Sequence, residues 1–178
     1  MFDSIFYDGS LQQYVADNRK DPWIGTNFEG YVFLSPKQKG EFGERFVSKY
    51  FEAKSSKVKR AKTSTAGHDR IIDDIMVEIK FGLATRDKKS GVKENQFIIN
   101  HVSKDKDWQR LVFFGINQKE ENASFFWFTK EDFIQHLDSN DCVFACQQGG
   151  KSIGNDDYIC TNTNKLKSMP FIKSMDQW

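Results

Sequence analysis

Residues 68–80, His-Asp-Arg-Ile-Ile-Asp-Asp-Ile-Met-Val-Glu-Ile-Lys, constrain the fold more than any other stretch of this chain. Two β-branched runs flank Asp73-Asp74, and a pair of acidic residues between such runs suits a tight hairpin connection. The pattern predicts a strand over 68–72, a turn at Asp73-Asp74 and a returning strand over 75–81. Side chains alternate faces along a strand, so Glu78 and Lys80 point one way while Val77 and Ile79 enter the apolar side. With the turn at 73–74, Asp69 falls opposite Glu78 or within a residue of it. Two carboxylates and an ammonium then gather at one end of a hairpin. A one-residue shift in pairing would put Asp73 in place of Asp69, and both assignments stay open at this point.

The segments around the hairpin predict a layered domain. Upstream, Ser35-Pro36 precedes an amphipathic helix in which Phe42, Phe46, Val47, Tyr50 and Phe51 recur at helical spacing as one buried stripe. Gly40 and Gly43 fall in what reads as its first turn, where glycine allows a close backbone approach. Residues 10–18 read as a short helix, and Trp23, Phe28, Tyr31 and Phe33 form an aromatic stretch. A basic linker spans 54–62 and a polar, basic loop spans 85–94. Strands are expected over 96–102, 110–116 and 123–128. Thr129 then caps a helix with Asp132 three residues on and Phe133, Ile134 and Leu137 on its apolar face. Residues 149–178 show no clear pattern. Strands mixed with few helices predict an α/β domain, a mixed central sheet flanked by helices. A chain of 178 residues is expected to form one domain. Its core is expected over 39–117, with 1–38 and 118–178 as dimerisation and recognition elements.

Composition excludes several classes. No run approaches the roughly 20 apolar residues of a membrane span. Residues 1–10 lack the basic start and apolar run of a secretory signal, so a cytoplasmic protein is expected. Cys142, Cys146 and Cys160 are odd in number and lack zinc-type pairing, which predicts reduced, mostly buried thiols. Trp108, Phe126 and Trp127 read as core, and His68, His101 and His136 as isolated structural histidines. Net charge is only +1, but it is uneven: residues 49–93 hold 12 Lys and Arg against 6 Asp and Glu, and residues 119–178 hold 6 against 9. One basic face is expected, of a kind that attracts phosphates. Lys57, Lys59, Arg60 and Lys62 suit phosphate contact and plain solubility equally well.

Two carboxylates beside a lysine make chemical sense for phosphodiester hydrolysis. Asp69 and Glu78, with the Ile79 carbonyl and water, offer hard oxygen ligands of the kind Mg²⁺ takes, and Mn²⁺ is expected to substitute. Such a metal activates water and stabilises charge on the scissile phosphate. Lys80 would orient that water, accept its proton or stabilise the phosphorane. Asp69, eight intervening residues and Glu78-Ile79-Lys80, preceded by a helix carrying Gly40-Glu41-Phe42-Gly43-Glu44, resemble the PD-(D/E)XK nuclease superfamily. The resemblance covers about residues 39–117. His68 stands where the superfamily often has proline, and the short Asp69–Glu78 spacing implies a hairpin without insertions.

The resemblance implies a restriction-endonuclease-like core and a site glutamate on the first helix. On a helical wheel Glu44 lies at the edge of the apolar stripe, whereas Glu41 lies almost opposite, as a first-turn acid. It further implies that Gln96 and Asn100 face double-stranded DNA. The basic loop right after the catalytic strand, with Lys88, Lys89 and Lys93, is by its charge and position the better candidate for DNA contact. The function so implied is Mg²⁺-dependent cleavage of duplex DNA by a small type II restriction enzyme acting as a homodimer on a palindromic site. A Holliday-junction resolvase, homing endonuclease or repair nicking enzyme would keep the same centre. A non-catalytic DNA-binding or interaction domain would use these charges only as surface.

Overall fold

The computed structural model describes residues 9, 13, 21, 23–63, 66–84, 97–117, 122–147 and 157–178. The expected helix over 10–18 falls outside them apart from Gln13.

The first long element is helix α1, Pro36–Ala53. It starts one turn earlier than the apolar stripe suggests because Ser35 and Gln38 form a capping box and Pro36 pre-sets the first helical residue. Glu41 is therefore not in the first turn. The strands are β1 (Val58–Arg60), β2 (Arg70–Ile72), β3 (Ile75–Leu83), β4 (Ile99–Ser103), β5 (Arg110–Asn117) and β6 (Asn122–Thr129), followed by β7 (Phe144–Cys146), β8 (Asp157–Cys160) and β9 (Lys173–Ser174). Helix α2 (Lys130–Leu137) follows β6 and carries the capping box expected of Thr129 and Asp132. A short helix α3 spans Thr163–Lys167.

The sheet forms the expected mixed α/β architecture. Its order is β1-β2-β3-β5-β6-β9, with β3 and β5 parallel and the other neighbours antiparallel. The 54–62 segment is a correction: its middle is edge strand β1, where Val58 faces inward and the lysines keep the edge charged. The hairpin turns at Asp73-Asp74, both left-handed (φ 48° and 65°), which short acidic side chains tolerate and a two-residue hairpin requires. Strand β2 begins at Arg70 rather than 68.

Strand β4 forms where a strand was expected, beginning at Ile99 rather than 96. Parallel neighbours need a crossover, and β4 leaves the main sheet within that crossover to pair with β8 in a separate antiparallel sheet, β4-β8-β7. One face of the main sheet (Val77, Ile79, Val112, Phe114, Trp127) packs on Val47 and Phe51 of α1. The other (Leu111, Phe113, Phe126, Phe128) packs on Ile99 and Val102 of β4, Phe133 of α2 and Leu166 of α3. The second face is thus covered by a small sheet as well as helices. Glu78 and Lys80 are in register with Leu111 and Phe113 and so lie on this second face.

The helix stripe needs correcting too. Phe42 and Phe46 are 36% and 39% exposed, and the buried line is Gly43, Val47, Ser48 and Phe51. The cause is Gly43: a Cβ there would stand 2.3 Å from Cβ of Phe81, so α1 lies directly against β3 at this point. Phe46 instead stacks on Phe114 at 4.2 Å. Gly43→Ala is expected to destabilise by about 1–3 kcal/mol through overpacking, although helix propensity alone favours alanine by about 1 kcal/mol. Urea denaturation measures it, and a variant at least as stable as the wild type would show that the helix has room to shift. Sequence also did not reveal that the tail closes the sheet: Trp178 packs on Phe51, and Arg110 lies between the rings of Trp127 and Trp178 at 4.3 and 4.6 Å.

Candidate active site

The hairpin register decides which aspartate joins Glu78. Arg70 pairs with Val77, so the next residue out, Asp69, comes level with Glu78. Its N–H donates to the Val77 carbonyl (2.9 Å), and its Oδ2 accepts from the Ile79 N–H (2.7 Å). Asp73 is committed to the turn, where its carboxylate accepts from the Lys57 N–H at 2.8 Å. That bond is the main reason its carboxyl lies below the usual range. The alternative pairing is excluded.

Glu78 is 3% exposed, and its Oε1 lies 2.7 Å from Nζ of Lys80 and 3.5 Å from Nζ of Lys106. Asp69 makes no salt bridge among the described residues. Burial pushes its carboxyl up to about 6, and the Glu78 carboxylate adds to the rise, outweighing the help from the Ile79 N–H. A cleft of about 570 Å³ is lined by Asp69, Glu78, Ile79, Lys80, Asn100 and Lys106, with Glu44 and Trp23 at its margin. Asp69, Glu78, Ile79, Lys80, Glu44 and Asn100 are thus brought together. Lys88, Lys89, Lys93 and Gln96 lie outside the described residues.

The donor set fits a hard divalent cation. Two adjacent carboxylates, one of them without a salt bridge among the described residues, are a site that favours positive charge. Among the described residues no group of three or more His, Cys, Asp or Glu comes together as a metal cluster. The remaining oxygens would come from backbone, water or a phosphate, as is usual for Mg²⁺.

No family model matches this chain, and no curated protein matches it. Among solved structures, a bacterial homing endonuclease, I-Ssp6803I, is similar over 57% of this chain and 74% of its own, at 13% identity and a TM-score of 0.43. A likeness of that degree says nothing about the chemistry of this chain, which rests on its side chains.

Glu44 reaches the margin of the cleft but is held there by Arg70, whose Nη1 donates to Glu44 Oε2 at 2.6 Å. Arg70 is 5% exposed and also bonds Ser48 Oγ and the Asp69 carbonyl, both at 2.9 Å. Glu44 therefore anchors α1 to β2, the strand that Asp69 leads into. Glu44→Ala is expected to cost about 1–3 kcal/mol, a figure reduced from that of a fully buried pair because Glu44 is partly solvated. Glu44→Ala with Arg70→Met should recover most of that loss. A double-mutant cycle by chemical denaturation checks it, and simply additive losses would rule the anchor out.

Sequence reasoning missed Lys106 and the clamp around it. His68 Nδ1 bonds Asp107 Oδ1 at 3.0 Å, and a Cβ at Gly67 would stand 2.5 Å from the Asp107 backbone nitrogen. The segment leading into Asp69 is thereby pressed against the loop carrying Lys106. Lys106 is further fixed by Lys130, whose Nζ donates to its carbonyl. Nothing in the sequence marks Lys106 out from Lys104 beside it. His101 lies outside the cleft lining, bonded to Asp157 and Gln147.

Among the described residues no helix is long and apolar enough to cross a membrane. The three cysteines are free, and Cys160 is buried while the other two are half-buried.

Proposed function

We propose that this protein is a metal-dependent DNA endonuclease of PD-(D/E)XK type, most specifically a small type II restriction enzyme acting as a homodimer on duplex DNA. The observation that carries this reading is the Asp69–Glu78 carboxylate pair, Glu78 buried and Asp69 half-buried, with Lys80 beside it in the cleft they line. Asp69 and Glu78, with the Ile79 carbonyl, would hold Mg²⁺, with Mn²⁺ able to substitute. Bound there, the ion would supply an activated water and neutralise charge on the phosphate.

The chain's own residues do the rest. Hydrolysis forms a bond from a water oxygen to phosphorus and breaks the bond to the leaving deoxyribose oxygen; the attacking water gives up a proton to bulk water and the leaving oxygen takes one from it. Lys80, paired with Glu78, presents an ammonium with three donors and no acceptor. Its role is accordingly to orient the nucleophile and stabilise the phosphorane rather than to take a proton. Lys106 brings a second cation to the same carboxylate and shares in offsetting the phosphate charge. Asn100, exposed on β4, supplies an amide to the strand lying in the cleft.

The test is cleavage of plasmid and branched DNA with Mg²⁺, with chelator, and with Glu78→Ala and Lys80→Ala proteins. Discrete linear fragments that need metal and vanish in both variants are the expected result. Nicked or branch-specific products would keep the centre and change the substrate to that of a nicking enzyme or resolvase. DNA left intact under all conditions would remove the catalytic reading in favour of a binding domain.

A further inference from the structure

A second cavity, about 410 Å³, shares Glu44 and Asp69 with the cleft. Its wall carries Lys37 from the first turn of α1, Arg60 from β1, Lys62 just beyond that strand, and His68. Two of the three carboxylates in the same wall are paired with arginines, and the third accepts a backbone N–H. Glu41 is held by Arg45 at 2.6 Å, Glu44 by Arg70 at 2.6 Å, and Asp69 by the Ile79 N–H. Lys37, Arg60 and Lys62 are exposed, and none of them makes a salt bridge among the described residues.

Arg60 stands directly opposite Arg70 across the β1–β2 pair, and like charges so placed work against the sheet. Arg70 is neutralised by Glu44, whereas Arg60 makes no salt bridge among the described residues. Lys37, Arg60 and Lys62, gathered in one wall without a salt bridge among the described residues, suit an anion with several oxygen acceptors.

We infer that this cavity receives a backbone phosphate of the DNA strand, adjacent to the phosphate that is cut, held by Arg60 and Lys62 with Lys37 at its rim. The inference rests on the nuclease reading. Because the cavity and the cleft meet at Asp69, a strand seated in both is fixed in register against Glu78 and Lys80. A phosphate contact of this kind positions DNA without reading its sequence.

The experiment measures binding of a 30-base-pair duplex of mixed sequence (a length of roughly this size spans several contacts) to the full chain carrying Lys80→Ala, which prevents turnover. Adding Arg60→Gln and Lys62→Gln together is expected to weaken binding about tenfold and to reduce the slope of log K against log salt by at least about one. The control is Lys59→Gln, on the same strand but outside this cavity, which is expected to leave both unchanged. Wild-type affinity and slope in the double variant, or an equal loss in Lys59→Gln, would overturn the phosphate site and leave the nuclease reading standing. A protein that neither binds nor cuts duplex DNA with Mg²⁺ would remove both.

Discussion

Lys80→Ala is expected to lower DNA cleavage by about 100-fold or more while leaving duplex binding within a few-fold, the signature of a group whose interaction strengthens in the transition state. Lys80 sits two residues beyond Glu78 on the same face of β3, with its ammonium 2.7 Å from that carboxylate and 17% exposed. It is thus held at the mouth of the cleft by a partner that is itself a proposed metal ligand. Removing it does two things. On the proposed mechanism it takes away a donor for the reacting oxygens, and among the described residues it leaves Glu78 with only the more distant, more exposed Lys106. Lys80→Arg should rescue part of the binding geometry but little of the rate, because a planar fork does not replace a compact ammonium. Single-turnover cleavage and anisotropy binding on the same proteins check this. A variant with unchanged cleavage would reduce Lys80 to an ion-pair partner.

The sequence made this centre legible because its pieces are local. Strand alternation and a two-residue turn suffice to bring Asp69 level with Glu78, so the hairpin could be read from residues 68–80 alone. The same holds for Thr129 and Asp132, whose capping box needs only three residues. What failed to show was contact between distant segments. Lys106 and Asp107 meet the hairpin through the β4–β5 loop, and Trp178 reaches Phe51 from the far end of the chain. Phe42 and Phe46 misled for a related reason. Periodicity places an apolar stripe, but the closest approach of a helix is set by where a side chain is missing, here Gly43. Strand β4 was expected as a strand without any sign that it leaves the main sheet, since its partner β8 follows more than fifty residues later.

Asp69→Asn is expected to make the metal-free protein more stable while abolishing its activity, and the sign follows from burial. Folding raises the Asp69 carboxyl from an ordinary 3.8 to about 6, so the folded chain holds this proton more tightly than the unfolded one. Its contribution to stability is complete below about pH 4 and is lost as pH rises through 6. Above pH 7 the ionised group costs up to about 3 kcal/mol relative to its neutral form, at 1.36 kcal/mol per pH unit. Asparagine removes the charge and keeps an oxygen to accept from the Ile79 N–H. In chelator at pH 8 the variant should therefore unfold at higher urea than the wild type by about 1–3 kcal/mol, and the gap should close as pH falls to 4. Mg²⁺ should raise the midpoint of the wild type at pH 8, because an ion that binds only the folded state stabilises it by mass action. The same ion should leave Asp69→Asn nearly unmoved. A surface ion-pair ladder predicts the reverse on every count: asparagine would weaken the fold slightly, pH would act in the opposite sense, and Mg²⁺ would not separate the two proteins. An Asp69→Asn protein less stable than wild type at pH 8 would therefore remove the metal-site reading, whatever the DNA assays show.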